Sequence, residues 1–375
     1  MTTNKFLGEK LRLARLISGL TLKELGESVS ASRQFIHQLE GDTRVPSEDM
    51  LFALSEVLSV EKEFFFKNLA NDVKFEQCHF RKRKTTPVGL ANRVCSYSSV
   101  FEELVHYLSE YIDFPESNIW EAECTGTYTN LDIEKAAESC RKHWDLGLDN
   151  PIDSMTNILE NNGVVITSFS GVSDKVDALS LYRKRPIIIR NEAKSSPCRL
   201  RFDLAHECGH FVLHNGIETG DTKTEAEANM FASAFIFPRS AFVAEFPTFF
   251  NPTRETSWMP LYRLKIRWGM SLKALIYRAH FLKVISSQQY RAANVRLSKT
   301  GQSRIEKCDD KVELEVPQLL KSSIELLSSE LGVSFAKIAK SLCITPDLLS
   351  VITGMPIPPE SDDDDNVEPF FRSRI

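Results

Sequence analysis

The sequence predicts a mainly α-helical chain with a small β-sheet. Apolar residues recur at helical spacing along most of the 375 residues, and segments patterned like strands occur only between residues 163 and 190. A short helix, a tight turn and a second helix stand near the start, and an HExxH motif stands near the middle. We therefore expect an N-terminal all-α helix-turn-helix domain, an α+β domain around the HExxH motif, and C-terminal helices.

The composition is that of an ordinary globular protein. Hydrophobic residues make up 42% and charged residues 26% of the chain, which excludes collagen-like, coiled-coil and fully disordered chains. No apolar run approaches the ~18 residues of a spanning helix, and residues 1–10 contain no apolar signal region, so we expect neither membrane association nor a secretory signal. The eight cysteines form no CxxC pair, which indicates reduced thiols and a cytoplasmic location.

The order of these features divides the chain into five segments. We predict a helix-turn-helix DNA-binding domain at 1–70, a basic linker and connector helix at 71–130, a metallopeptidase-type domain at 131–290, a C-terminal helical element at 291–355, and an acidic tail at 356–375. The tail is rich in Pro and Asp, and we expect it to be disordered because it has too few apolar residues to bury.

The N-terminal segment contains a helix-turn-helix pattern. Thr21 is placed to cap a first helix over 22–29, a turn follows at 30–31, and a second helix covers 32–40 and ends before Gly41. Such a second helix can enter a major groove, where Arg suits guanine and Gln suits adenine. The residues of this helix that we expect to contact DNA are Arg33, Gln34, His37 and Gln38.

This segment resembles the XRE family of lambda-repressor-like helix-turn-helix proteins. The matching string is LRLARLISGLTLKELGESVSASRQFIHQLEGDTRVPS, within a resemblance of about 60 residues. The resemblance implies binding to a double-stranded DNA operator as a homodimer. The alternative is a helical bundle used only for protein contacts, and the near-neutral charge of residues 1–70 leaves it open.

The linker and the α+β domain follow. A basic cluster, Arg81-Lys82-Arg83-Lys84, precedes a connector helix, and we weigh phosphate contact against a solvated linker for it. In the α+β domain we predict a strand at 163–166, a hairpin of 178–182 with 186–190, and helices at 133–144, 152–161, 199–214, 223–237, 256–268 and 271–282. Residues 330–349 have a second helix-turn-helix spacing, which we interpret as a packing or dimerising element.

The HExxH motif predicts a metal site. His206 and His210 are four residues apart, so a helix places both on one face, where they can share a Zn²⁺ ion. Glu207 stands one step around the helix from His206, which is the position of a general base rather than of a ligand. We expect one Zn²⁺ per chain.

A third ligand is expected from the helix that follows. Glu225 and Glu227 compete for this role. In an arrangement like that of the gluzincin peptidases, a polar residue four positions after the ligand glutamate bonds a ligating histidine, and Asn229 fits that role for Glu225. We therefore choose Glu225. His214 is an alternative ligand, although a satisfied residue at the helix end is the simpler interpretation.

The stretch from 131 to 290 resembles the ImmA/IrrE family of zinc metallopeptidases, a zincin-like fold. The matching strings, in order, are CRKHWDLGLDNPIDSMTNILENNGVVI, RLRFDLAHECGHFVLH, EAEANMFASAFIFP and WGMSLKALIYRAHFLKVIS. The resemblance implies Zn²⁺ held by His206, His210 and Glu225, with Glu207 as the base, and a repressor protein of the helix-turn-helix class as substrate. Cys208 stands where the family usually has an aliphatic residue, and we expect it in the core.

Two functions remain open from the sequence. The first is a DNA-binding regulator whose zinc domain is an endopeptidase that cleaves a repressor-type protein. The second is a transcription factor or antitoxin-like regulator whose zinc domain senses a ligand, or a toxin-like partner, without turnover. The retention of Glu207 favours the first, because a purely structural zinc site does not need it.

Overall fold

The computed structural model describes residues 5–67, 78–80, 88–123, 127–169, 178–182, 185–191, 196–217, 219–303 and 305–359. The basic cluster at 81–84 lies outside these ranges, as does most of the predicted acidic tail at 356–375. Within them the protein is mostly helical with one small sheet, which confirms the predicted fold class. None of the helices described is both long enough and apolar enough to cross a membrane.

Helices and strands do not alternate along most of the chain, because three of the four described strands lie between Val165 and Asn191. The first helices are α1 (Gly8–Ser18), α2 (Leu22–Ser28), α3 (Arg33–Glu40), α4 (Glu48–Leu58) and α5 (Val88–Ser109). The strands are β1 (Cys78–Phe80), β2 (Val165–Phe169), β3 (Ala178–Tyr182) and β4 (Pro186–Asn191). The central helices are α6 (Asn130–His143), α7 (Met155–Asn161), α8 (Pro197–Leu213), α9 (Thr222–Ile236), α10 (Arg239–Glu245), α11 (Met259–Trp268), α12 (Leu272–Phe281) and α13 (Ser287–Lys299). The last helices are α14 (Leu319–Leu331), α15 (Phe335–Ser341) and α16 (Pro346–Thr353).

The chain folds into two compact units that are not contiguous in sequence. The first unit comprises Met1–Phe75, Pro87–Phe114 and Leu319–Ile375, and the second comprises Glu76–Thr86 and Pro115–Gln318. This grouping differs from the linear division predicted above. The connector helix α5 and the C-terminal helices pack with the N-terminal helices, since they bury apolar side chains there, while residues 291–318 belong to the second unit.

The helix-turn-helix forms in the first unit because its turn is well capped. The Thr21 side chain accepts from the backbone N–H of Glu24, whose carboxylate accepts from the backbone N–H of Thr21 in return. Gly26 is required for the turn, because a Cβ there would stand 2.7 Å from the carbonyl oxygen of Ala31. Ser32 then caps α3 by accepting from the N–H of Phe35.

The C-terminal helices α15 and α16 complete the same unit. An antiparallel bridge joins Val60 to Ile344, and the backbone N–H of Glu61 donates to the carbonyl oxygen of Cys343 at 2.8 Å. Phe335 is 5% exposed and packs in the interior. The second helix-turn-helix pattern therefore acts as a packing element of the unit, and its predicted role in dimerisation stays a prediction.

The second unit is built on a four-stranded sheet within the described residues, in the order β1-β3-β4-β2. Strands β3 and β4 form the predicted antiparallel hairpin, in which Ser180 pairs with Ile188, and β2 runs parallel to β4. Strand β1 pairs antiparallel with β3 and was not predicted, because three residues are too few to show a period.

Helices α8 and α9 lie along each other beside this sheet and form the centre of the core. Leu204, Phe211, Phe231 and Phe235 are at most 1% exposed, and the rings of Phe231 and Phe235 stack with centroids 5.4 Å apart. The burial of both helices on most sides gives them the rigidity that a precise site requires.

Candidate metal centre

Three predicted side chains converge where α8 and α9 meet. The ligand atoms of His206, His210 and Glu225 all lie within 4.8 Å of one another. The two Nε2 atoms are 3.1 Å apart, and the Glu225 carboxylate oxygens lie 3.5 Å from His206 Nε2 and 3.4 Å from His210 Nε2. The four-residue spacing on α8 aligns the histidines, and the register of α9 supplies the carboxylate.

Asn229 determines the tautomer of His206. The Asn229 Nδ2 donates to the backbone carbonyl of Glu225 at 2.7 Å, so its Oδ1 is the atom that faces His206 Nδ1 at 3.2 Å. Since an amide oxygen can only accept, His206 Nδ1 carries the hydrogen and Nε2 keeps its lone pair. The predicted pairing of Asn229 with a histidine of the site is therefore present in the structure.

This donor set fits a zinc ion. Two imidazole nitrogens and one carboxylate oxygen are typical ligands of catalytic zinc, which keeps a further position open. Among the described residues, Glu225 Oε1 is buried without a hydrogen-bond partner, as suits an oxygen meant for a cation. Burial favours a raised pKa for Glu225, but the nearby imidazoles of His206 and His210 outweigh it and lower the pKa.

Glu227 and His214, the competing ligands, do not join these three side chains. The His214 Nε2 lies 2.9 Å from Glu227 Oε2, and its Nδ1 lies 3.0 Å from Nδ1 of His210. Both residues therefore stand behind His210, on the side away from its Nε2. The sequence signal for this contact was the second four-residue step, from His210 to His214.

Glu207 is buried beside the three candidate ligands but is not part of that group. The Ser180 hydroxyl on β3 donates a hydrogen bond to Glu207 Oε2, while Oε1 has no partner among the described residues. Burial raises the pKa of Glu207 to about 7, against the charge of His206 and the hydrogen bond from Ser180, which lower it. A carboxylate with one held and one unpartnered oxygen is suited to accept a proton.

The site lies in a segment of the chain that matches the model of a known protein family. Residues 159–280 match the peptidase M78 family model, described as the IrrE N-terminal-like domain. The match contains His206, Glu207, His210 and Glu225, so this part of the chain is a metallopeptidase-like domain. No curated protein matches the chain.

Gly209 allows the two helices of the IrrE-like domain to approach. A Cβ at this position would stand 3.0 Å from Phe231 Cδ1 and 3.2 Å from the backbone oxygen of Ala228 on α9. The neighbouring Cys208 is fully buried, as predicted, and is one of the free thiols of the structure. Small residues at the crossing thus hold α9 close enough to α8 for Glu225 to meet the histidines.

We expect Gly209→Val to weaken the site and the fold together. The added carbons must push α9 away from α8, which should lower the free energy of unfolding by about 1–3 kcal/mol and weaken zinc binding. Urea denaturation and chelator competition measure the two effects. Gly89→Val is the control, since this helical position has open space around it. Unchanged zinc affinity in Gly209→Val would show that the helix approach is not needed.

The four predicted DNA contacts lie together on α3. Arg33, Gln34 and His37 are exposed, and Gln38 is half-buried on the same helix. Ile36 and Leu39 are fully buried and hold the helix to its unit. The helix therefore presents its polar face outward, which is the geometry that groove contact requires.

Proposed function

We propose that the IrrE-like domain is a zinc-dependent endopeptidase. The observation that carries the proposal is the convergence of His206, His210 and Glu225, with the buried carboxylate of Glu207 beside them and free of a ligand role. The family match at residues 159–280 supports the same class of domain.

Three of the residues would hold the metal, and a fourth would transfer protons. His206, His210 and Glu225 would hold Zn²⁺, which when bound supplies a Lewis acid for the scissile carbonyl. Glu207 Oε1 would accept a proton from the attacking water and pass it to the amine nitrogen that leaves. Ser180 keeps Glu207 Oε2 in place during this transfer, since its hydroxyl donates to that oxygen.

The substrate we propose is a repressor-type protein of the helix-turn-helix class. The support is the resemblance of residues 131–290 to peptidases that cleave such repressors. The cytoplasm is the proposed location, since the described cysteines are free thiols and suit a reducing compartment.

Cleavage can be tested directly. Purified full-length protein with Zn²⁺ is incubated with itself and with purified helix-turn-helix repressors, and new protein termini are identified by mass spectrometry. We expect new termini in a repressor with the wild type and none with Glu207→Gln. New termini at equal rates with both proteins would contradict a peptidase that uses Glu207, and no new termini with either protein would favour the domain as a sensor of a ligand or partner.

We further propose that the first unit binds an operator as a homodimer. The outward face of α3, with Arg33, Gln34 and Gln38, is the observation that favours this function. Its hydrogen-bonding groups suit base edges in a major groove.

Gln34→Ala should weaken operator binding by about 1–3 kcal/mol and relax specificity at one base pair, because a bidentate contact is lost. Footprinting on operators selected from a random DNA library measures the effect. Lys321→Ala, a change at a half-exposed position on α14, is the control and should bind as the wild type does. An unchanged footprint with Gln34→Ala would remove α3 from the DNA interface.

A further inference from the structure

A buried chain of hydrogen-bonding groups ends on one of the candidate zinc ligands. Glu227 Oε2 lies 2.9 Å from His214 Nε2, and His214 Nδ1 lies 3.0 Å from His210 Nδ1. His214 is 1% exposed and His210 is fully buried, so water does not compete for these contacts. This series of hydrogen bonds runs from Glu227 on α9 to His214 at the end of α8, and from there to His210 in the metal centre.

The chemistry of the three groups dictates the direction of each hydrogen bond. A carboxylate can only accept, so the hydrogen between Glu227 and His214 belongs to His214 Nε2. A neutral imidazole then has an acceptor at Nδ1, and His210 Nδ1 must donate to it. His210 Nε2 is left with its lone pair, and this is the atom that lies 3.1 Å from His206 Nε2 and 3.4 Å from Glu225 Oε1.

The two histidines of the metal centre are thus supported by different partners. Asn229 orients His206 through one amide oxygen. His214 orients His210 in the same way, and the orientation of His214 itself depends on Glu227. Lys223 Nζ lies 3.8 Å from Glu227 Oε1, at the end of these contacts that is farthest from the metal centre.

We propose that Glu227 and His214 are positioning residues that hold His210 in the tautomer and orientation needed to bind the metal. The proposal rests on the proposed function, because it requires the metal centre to bind zinc. It assigns a role to two buried residues that lie outside the candidate ligand group. Residues of this kind affect metal affinity even when the ligands themselves are unchanged.

Zinc affinity of the full-length protein, measured by competition with a chromogenic chelator, tests the proposal. We expect His214→Leu to lose about 10–100-fold in affinity, because His210 Nδ1 loses its acceptor. His214→Asn should lose less, since its side-chain oxygen can still accept from His210. His143→Leu, at an exposed histidine, should bind zinc as the wild type does.

Double variants show whether Glu227 and His214 act together through His210 or make independent contributions to zinc affinity. Glu227→Ala should cost affinity in the wild type but add little in the His214→Leu background, because both changes act through His210. Asn229→Ala should add its full cost in that background, since it acts on His206. Additive losses for Glu227 and His214, or wild-type affinity in His214→Leu, would overturn the proposal.

The histidine tautomers give a second readout that does not depend on the variants folding. Long-range ¹H–¹⁵N spectra of the metal-free wild type should show His210 protonated at Nδ1 and not at Nε2. The reverse tautomer would overturn the proposal. A loss of zinc affinity in His214→Leu together with no cleavage by the wild type would instead reject the peptidase and leave the positioning role intact. A wild type that binds no zinc would reject both.

Discussion

Glu207→Gln should lower peptide cleavage by at least ~10²-fold while leaving zinc binding and the fold intact. The substitution is nearly isosteric, and the Gln oxygen can still accept from Ser180 at the position of Oε2. The amide that replaces the unpartnered Oε1 cannot accept a proton, so only proton transfer is lost.

The measurement compares initial cleavage rates, with zinc content and circular dichroism recorded for each protein. Glu313→Gln, an exposed carboxyl in the same unit, is the matched control and should cleave at the wild-type rate. Ser180→Ala should give an intermediate rate, since Glu207 keeps its carboxylate but loses its support. Wild-type cleavage by Glu207→Gln would show that Glu207 is not the base, and no cleavage by the wild type would leave the domain as a metal-dependent sensor or partner-binding module.

The second large effect concerns the metal itself. We expect the wild type to carry about one Zn²⁺ per chain and His206→Ala to carry almost none, because a two-ligand remnant binds zinc poorly. Zinc that binds only the folded state also stabilises it. A chelator should therefore lower the Tm of the wild type and leave that of His206→Ala unchanged.

Elemental analysis and thermal melting with and without chelator measure these two effects. His143→Ala is the control, since His143 is exposed and belongs to another surface of the same unit. Equal zinc content in the wild type and His206→Ala would show that the convergence of His206, His210 and Glu225 is not the metal site.

The parts of the site that lie on one helix could be predicted, because helical periodicity alone places them. His206, Glu207 and His210 follow from the spacing of a single motif. Glu225 could be chosen over Glu227 since Asn229 stands one turn beyond it, and the structure places both residues as that choice required.

Ser180 could not be found in this way. Its contact with Glu207 spans 27 residues and depends on how the β3–β4 hairpin lies against α8. No local pattern in the sequence carries that information. The same limit applies to the contact of Glu227 with His214, which depends on where α9 lies along α8.

The assembly of the first unit has a consequence for the order in which the protein matures during synthesis. Helices α1 to α4 leave the ribosome first, but Val60 pairs with Ile344, and α5 contacts α16. The last segment of the first unit is therefore made after residues 159–280, which match the IrrE-like family model. A nascent or prematurely terminated chain that stops before Leu319 lacks the last segment of this unit. Contacts between such distant parts of a chain also form slowly. The first unit should consequently complete its fold only after the rest of the polypeptide has been synthesised.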